Sequence, residues 1–277
     1  LIRAITLINM IAYHALYDLV YLYQISIPFY TGKVGYLWQQ SICWTFIFLS
    51  GISFHFGKHP VKRASILTMS GLLITVITLI FMPELPVFMG ILSFMGMAWF
   101  CMILIQPLTK KLQPTYGFSL AIILFIISRN INSKSLGFES FHILNLPDFL
   151  YQSPVGFIFG FPKDHFISGD YFSLFPWFFL YLAGYYLWEL LNRNDTILIF
   201  LKKGSLPFLN QIGRHTLPIY LIHQPLLLLL FELIFKKWLS KYWFITFQKR
   251  LWHFECHNLL RLKYIYLKLQ ILNIQLL

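Results

Sequence analysis

The chain has 277 residues, 58% of them hydrophobic and 12% charged, with a mean hydropathy of +0.66. Soluble domains carry about 25% charged residues, so this composition excludes an ordinary soluble protein and specifies an all-α, polytopic membrane bundle. The formal net charge of +12 is not a nucleic-acid footprint, because eight Lys and Arg residues lie between Lys236 and Lys268 and most others sit in short loops. No nucleic-acid partner is expected. Cys43, Cys101 and Cys256 lack CxxC or CxH spacing and suggest neither a disulfide framework nor a zinc site.

Leu1–Tyr23 is long enough to cross a bilayer, yet it carries Arg3, His14 and Asp18. It is too long for a cleaved signal peptide, and no small-residue cleavage site follows it. The first residue is Leu, so the sequence reads as a piece lacking its start. At about 100° per residue, Arg3, Met10, His14 and Asp18 fall within roughly 80° of one another, which gives this helix a lipid side and a working side. His14 and Asp18 are spaced i, i+4 and can meet directly.

Further spans are expected at Leu37–Phe56, Ala64–Met82, Val87–Gln106 (halted by Pro107), Tyr116–Ser128, Tyr171–Leu191 and Leu217–Phe235, for seven to eight in all. Thr196–Leu201 is too short to cross and reads as interfacial. Residues 1–235 form the membrane domain, and 236–277 a basic tail, amphipathic on a membrane surface or otherwise atypical. The loops holding Lys58, Lys62 and Arg63, then Lys110 and Lys111, then Arg193, Lys202, Lys203 and Arg214 alternate correctly for the cytoplasmic side. The amino end is then inside, and the aromatic-rich loop from Arg129 to Asp170 is outside, where it suits a lid or substrate platform. Internal repeats, a Walker loop, GxSxG, HExxH and dinucleotide fingerprints are absent from the sequence.

Four polar features carry the candidate chemistry. A histidine near its ordinary ionisation range exchanges protons at neutral pH, and a carboxylate one turn away can orient its ring; His14 and Asp18 fit that pattern, or else only lock helix packing. His223 lies in the last span beside Gln224 and the break at Pro225, and reads either as a second base or as a packing residue. Asp170, in SGDYFSLFPWF, either caps the sixth span or binds an acceptor. Arg214 and His215 open the last span and suit a phosphate at its amino end.

The blocks HALYD, FIFLSGIS, MGILSFMGMAWF, SGDYFSLFPWFFLYLAGYY and IGRHTLPIYLIHQP occur in that order over Leu1–Phe235. Together they resemble bacterial members of the heparan-α-glucosaminide N-acetyltransferase catalytic-domain family, one group of transmembrane acyltransferases. The resemblance implies a helical bundle around a central site in the bacterial cytoplasmic membrane. It implies acetyl-CoA as co-substrate from the cytoplasm, an amino sugar or other glycan acceptor at the outer face, and a histidine as base or acyl carrier. No metal is expected; lipid is a partner, and a homo-oligomer is compatible.

On that resemblance His14, Asp18 and His223 are the catalytic candidates. Arg3, Arg214, His215, Lys110 and Lys111 would hold the CoA phosphates. Asp170, Tyr171, Trp177 and Gln224 would meet the acceptor. The chain departs from the family where Arg3-Ala4 stands for the usual Arg-Gly, and where Ser93 stands for a common His. The competing reading is a proton-coupled transporter with His14 and Asp18 as its relay; a non-catalytic scaffold is a third.

Overall fold

The computed structural model describes residues 1–193 and 206–235. The interfacial segment at Thr196–Leu201 and the tail after Phe235 lie outside the described residues. The described chain is a bundle of helices: α1 (Ile2–Tyr21), a single-turn α2 (Pro28–Thr31), α3 (Lys33–Phe54), α4 (Pro60–Phe81), α5 (Ile91–Thr109), α6 (Pro114–Ser128), α7 (Leu174–Leu191), α8 (Pro207–Arg214) and α9 (Thr216–Ile234). Six of these stretches are long and apolar enough to cross a membrane. α3 has a crossing length of 22 residues but carries Trp38, Gln39, Gln40 and Ser41, which dilute its hydropathy.

Several boundaries differ from those expected, each for a local reason. α5 does not halt at Pro107 but runs through it to Thr109. A proline removes the hydrogen bond to the carbonyl four residues back, a small loss within a last turn, and Lys110 N–H still reaches Gln106 C=O at 3.1 Å. The short fifth span begins two residues earlier, at Pro114, where a first-turn proline needs no amide partner. It extends through a 3-10 turn to a crossing length of 20 residues ending at Ser133. The sixth span begins at Leu174 rather than Tyr171, with Phe175 non-helical and its bond to Pro176 cis.

The described residues divide into two compact units, 1–42 with 206–235, and 43–193. In the first, α1 packs on α9 through Tyr23, Leu227 and Phe231, backed by Ile11, Ala15 and Leu19. α1 also meets α8, and Trp38 Nε1 of α3 donates to Asn9 Oδ1 at 3.0 Å.

In the second unit α4 packs along α5, and α6 along α7. Along α4 and α5, a Cβ on Gly71 would lie 2.2 Å from Ser93 Oγ, and one on Gly96 would lie 2.2 Å from Thr68 Oγ1. Gly71 and Gly96 therefore stand at a crossing with room for only small side chains. α7 lies against α3 so closely that a Cβ on Gly51 would fall 2.0 Å from Tyr181 O, and one on Gly184 2.0 Å from Phe48 O. Without a hydrophobic force between helices in lipid, such small-residue contacts hold the bundle by close packing. Trp99, Tyr181, Tyr185, Phe94 and Met102 fill its interior. α4 leaves Leu72, Leu73, Val76, Ile77, Ile80 and Phe81 exposed, an apolar face suited to acyl chains.

The long loop is ordered by short elements rather than left open. Strands β1 (Ser135–Phe138) and β2 (Phe141–Asn145) pair antiparallel, with 3-10 turns at Asp148–Tyr151 and Gly156–Ile158. Lys134 Nζ straps it by reaching Asp148 Oδ1 at 2.9 Å and Asp164 Oδ1 at 2.7 Å.

Candidate functional site

The first unit gathers its polar residues along the seam of α1 and α9. His14, Asp18 and Met10 share the inward stripe of α1, as the 3.6-residue period requires. Asp18 and His223 are almost fully buried, at 1% and 7% exposure, and His14 is half-buried. The imidazoles of His14 and His223 meet edge to face with centroids 5.0 Å apart.

Asp18 finds its partner on the other helix rather than one turn back on its own. Gln224 Nε2 donates to Asp18 Oδ1 at 2.8 Å and to Oδ2 at 2.9 Å. The expected His14–Asp18 spacing is present, but the carboxylate is occupied by the amide of a residue 206 positions away. Sequence periodicity sees only neighbours within a helix, so this pairing had no signal in the sequence.

His223 has a defined tautomer. Its Nδ1 lies 2.5 Å from the carbonyl oxygen of Tyr220, and a carbonyl can only accept, so Nδ1 carries the proton. Nε2 then presents a bare lone pair. It is buried and has no hydrogen-bond partner among the described residues, and the same holds for Gln224 Oε1. Pro225 follows directly inside α9 and leaves the carbonyl of Leu221 without its usual amide donor. The seam thus holds two unpaired acceptors next to a weakened turn.

Arg214 and His215 are exposed at the junction of α8 and α9, where His215 ends one helix and opens the next. Arg3 is half-buried on α1. These cations belong to the first unit, whereas Lys110 and Lys111 belong to the second. Lys110 lines a cleft of about 360 Å³ with Phe54, His55, Gln106, Tyr185 and Glu189. His55 stacks on Tyr185 at 4.2 Å and its Nδ1 lies 3.4 Å from Glu189 Oε1. Sequence reasoning missed His55 and Glu189; their positions at the ends of α3 and α7 were the available signal.

At the opposite end of the second unit, Asp170 caps a helix, but it is α5 and not the sixth span. Its Oδ2 accepts the Ile91 N–H at 3.1 Å, at the positive end of that helix dipole. Ser168 Oγ accepts the Phe88 N–H at 2.9 Å and fixes the same corner. Burial pushes the Asp170 carboxyl up to about 6, outweighing the Ile91 hydrogen bond that favours its charged form. Tyr171 gives its hydroxyl to the Phe157 carbonyl and packs against Phe166 at 4.9 Å. Trp177 is 4% exposed, with Arg129 stacked over its ring at 4.9 Å and its Nε1 lacking an acceptor among the described residues. Arg129 is in turn paired with Glu139 at 3.3 Å.

Residues 1–225 match the family model described as heparan-alpha-glucosaminide N-acetyltransferase, catalytic. No curated protein and no solved structure matches the chain. Among the described residues, no cluster of three His, Cys, Asp or Glu side chains suited to a metal ion occurs.

Proposed function

Since the chain belongs to the heparan-α-glucosaminide N-acetyltransferase catalytic family, we propose that it moves an acetyl group from cytoplasmic acetyl-CoA to an amino sugar or other glycan at the outer face. The observation that carries the reading is the bare Nε2 of His223, set in a buried seam beside a second imidazole. Acyl transfer needs a base within hydrogen-bond reach of the attacking N–H or O–H, and a neutral imidazole whose far nitrogen is already protonated is such a base.

In this reading His223 Nε2 takes the proton as the acceptor attacks the thioester carbonyl. The carbon–sulfur bond breaks, and the proton passes to the departing CoA thiolate. His14 stands beside the ring that becomes imidazolium and supplies a second imidazole to steady the tetrahedral oxyanion. Arg3, Arg214 and His215, on the same unit as His223, are the cations we assign to the CoA phosphates. Gln224, next to His223 on the same helix, is assigned to the acceptor, with its Oε1 lacking a donor among the described residues. The protein would sit in the bacterial cytoplasmic membrane with its amino end inside, by the distribution of its basic loops.

Purified full-length protein in detergent, given radiolabelled acetyl-CoA and glucosamine, should transfer label to the sugar. His223→Ala should reduce kcat by about 10²–10⁴-fold, the usual contribution of a positioned base. Undiminished transfer by that variant would discard the assignment of His223 as base.

A further inference from the structure

We infer that the cleft at the ends of α3, α5 and α7 binds a phosphoethanolamine head group, its ammonium held by Glu189 and His55 and its phosphate by Lys110 and Gln106. The site lies wholly within the second unit and is independent of the acyl transfer assigned to His223. Its volume of about 360 Å³ is that of a small-ligand site. All four of these side chains line it, with Phe54 and Tyr185 as apolar walls.

The cation end follows from His55. Its Nε2 lies 3.1 Å from the Tyr185 carbonyl oxygen, which can only accept, so the neutral ring carries its proton there. Nδ1 is then an acceptor, and it stands 3.4 Å from Glu189 Oε1, too far for a well-formed hydrogen bond. Stacking on Tyr185, with ring centroids 4.2 Å apart, holds the imidazole in that setting. Two acceptors side by side repel unless a donor stands over both, and a primary ammonium brings three N–H groups. The helix ends act in the same sense. Phe54 closes α3, Thr109 closes α5 and Leu191 closes α7, so the cleft is lined from three carboxyl-terminal turns, each with a partial negative charge. A quaternary ammonium has no N–H for either acceptor, which excludes choline.

The anion end lies on α5. Gln106 and Lys110 are spaced i, i+4 and so lie on one face of that helix end. Lys110 is exposed and makes no ion pair among the described residues, although it shares the cleft with Glu189. An ammonium and an amide N–H one turn apart suit a phosphate. Opposite charges that line one cavity without meeting fit a ligand that carries both. Depth narrows the choice of zwitterion. The apolar helices α5 and α7 both end here, at the level where lipid head groups stand in a bilayer.

The test titrates delipidated full-length protein in detergent with phosphatidylethanolamine, phosphatidylcholine and phosphatidylglycerol of matched acyl chains, and native mass spectrometry counts bound lipid. Phosphatidylethanolamine should bind about tenfold or more tighter than either of the others, the worth of one charge-assisted contact. Glu189→Gln should remove that preference and leave the affinity for phosphatidylglycerol, which has no ammonium, unchanged. Lys110→Ala should weaken phosphatidylethanolamine by about tenfold as well. Neither side chain is buried, and an unchanged melting temperature checks that both variants keep the fold. Glycerophosphoethanolamine, the same head group without acyl chains, identifies the source. Competition at the lipid's own concentration makes the ligand a soluble ester, failure to compete makes it the lipid, and both uphold the head-group assignment. Equal binding of the three lipids overturns the inference, and so does a preference that survives both variants. Displacement of phosphatidylethanolamine by acetyl-CoA overturns it too, because Lys110 would then serve the co-substrate's phosphates.

Discussion

At the residue scale the most exposed prediction concerns Asp170. Its folded-state carboxyl is raised to about 6 by burial, above the ordinary 3.8. The folded protein therefore binds the proton more tightly than the unfolded chain, and stability is fully present below about pH 4 and falls as pH rises to about 6. Asp170→Asn keeps a polar group against the Ile91 N–H and should remove that slope, as thermal unfolding in detergent across pH 4 to 7 would record. A slope unchanged in the variant would place the titration elsewhere. The residue types at the candidate site were legible in the sequence, because ionisable groups in apolar spans are rare and costly. Their partners were not. Asp18 answers to Gln224 and Asp170 to the end of α5, and both contacts join stretches remote in sequence.

At the scale of elements, the glycines in FIFLSGIS and LAGYY explain why those blocks are what they are. Gly51 and Gly184 let α3 and α7 approach until a single added Cβ would fall 2.0 Å from a backbone oxygen. Gly184→Leu should part the two helices and destabilise the bundle by roughly 1–3 kcal/mol or more, with a lower melting temperature in detergent as the measure. The loop between α6 and α7 poses a different question, because one lysine ties two of its aspartates together. Lys134→Ala frees Asp148 and Asp164 together. Amide exchange across 135–166 should then rise while α6 and α7 stay protected; equal protection in the variant would show that aromatic packing alone orders the loop. Its length marked it as a functional or structured segment, but the hairpin gave little sequence warning. Its strands are four and five residues long, and β2 is exposed throughout.

At the scale of the whole molecule, hydropathy found the crossing segments because every backbone amide in lipid must be satisfied within its own helix. Their ends were displaced by a few residues wherever proline or a 3-10 turn intervened. The proposed sidedness rests on the basic loops alone. An impermeant thiol reagent should label Asp148→Cys on intact cells and Lys110→Cys only after permeabilisation, in a background with the native cysteines replaced; the reverse pattern would invert the protein in the membrane.

Pro225 has a mechanical consequence. A rod with a bond missing on one turn flexes there before it flexes anywhere else, and the missing bond sits beside His223 and Gln224. Were the stretch from Leu226 to Ile234 to bend at that turn, Leu227 and Phe231 would shift against Tyr23 and the room beside both imidazoles would change. Stiffer, more tightly ordered lipid should damp that bending and slow turnover, and Pro225→Ala should leave the rate far less sensitive to the surrounding acyl chains.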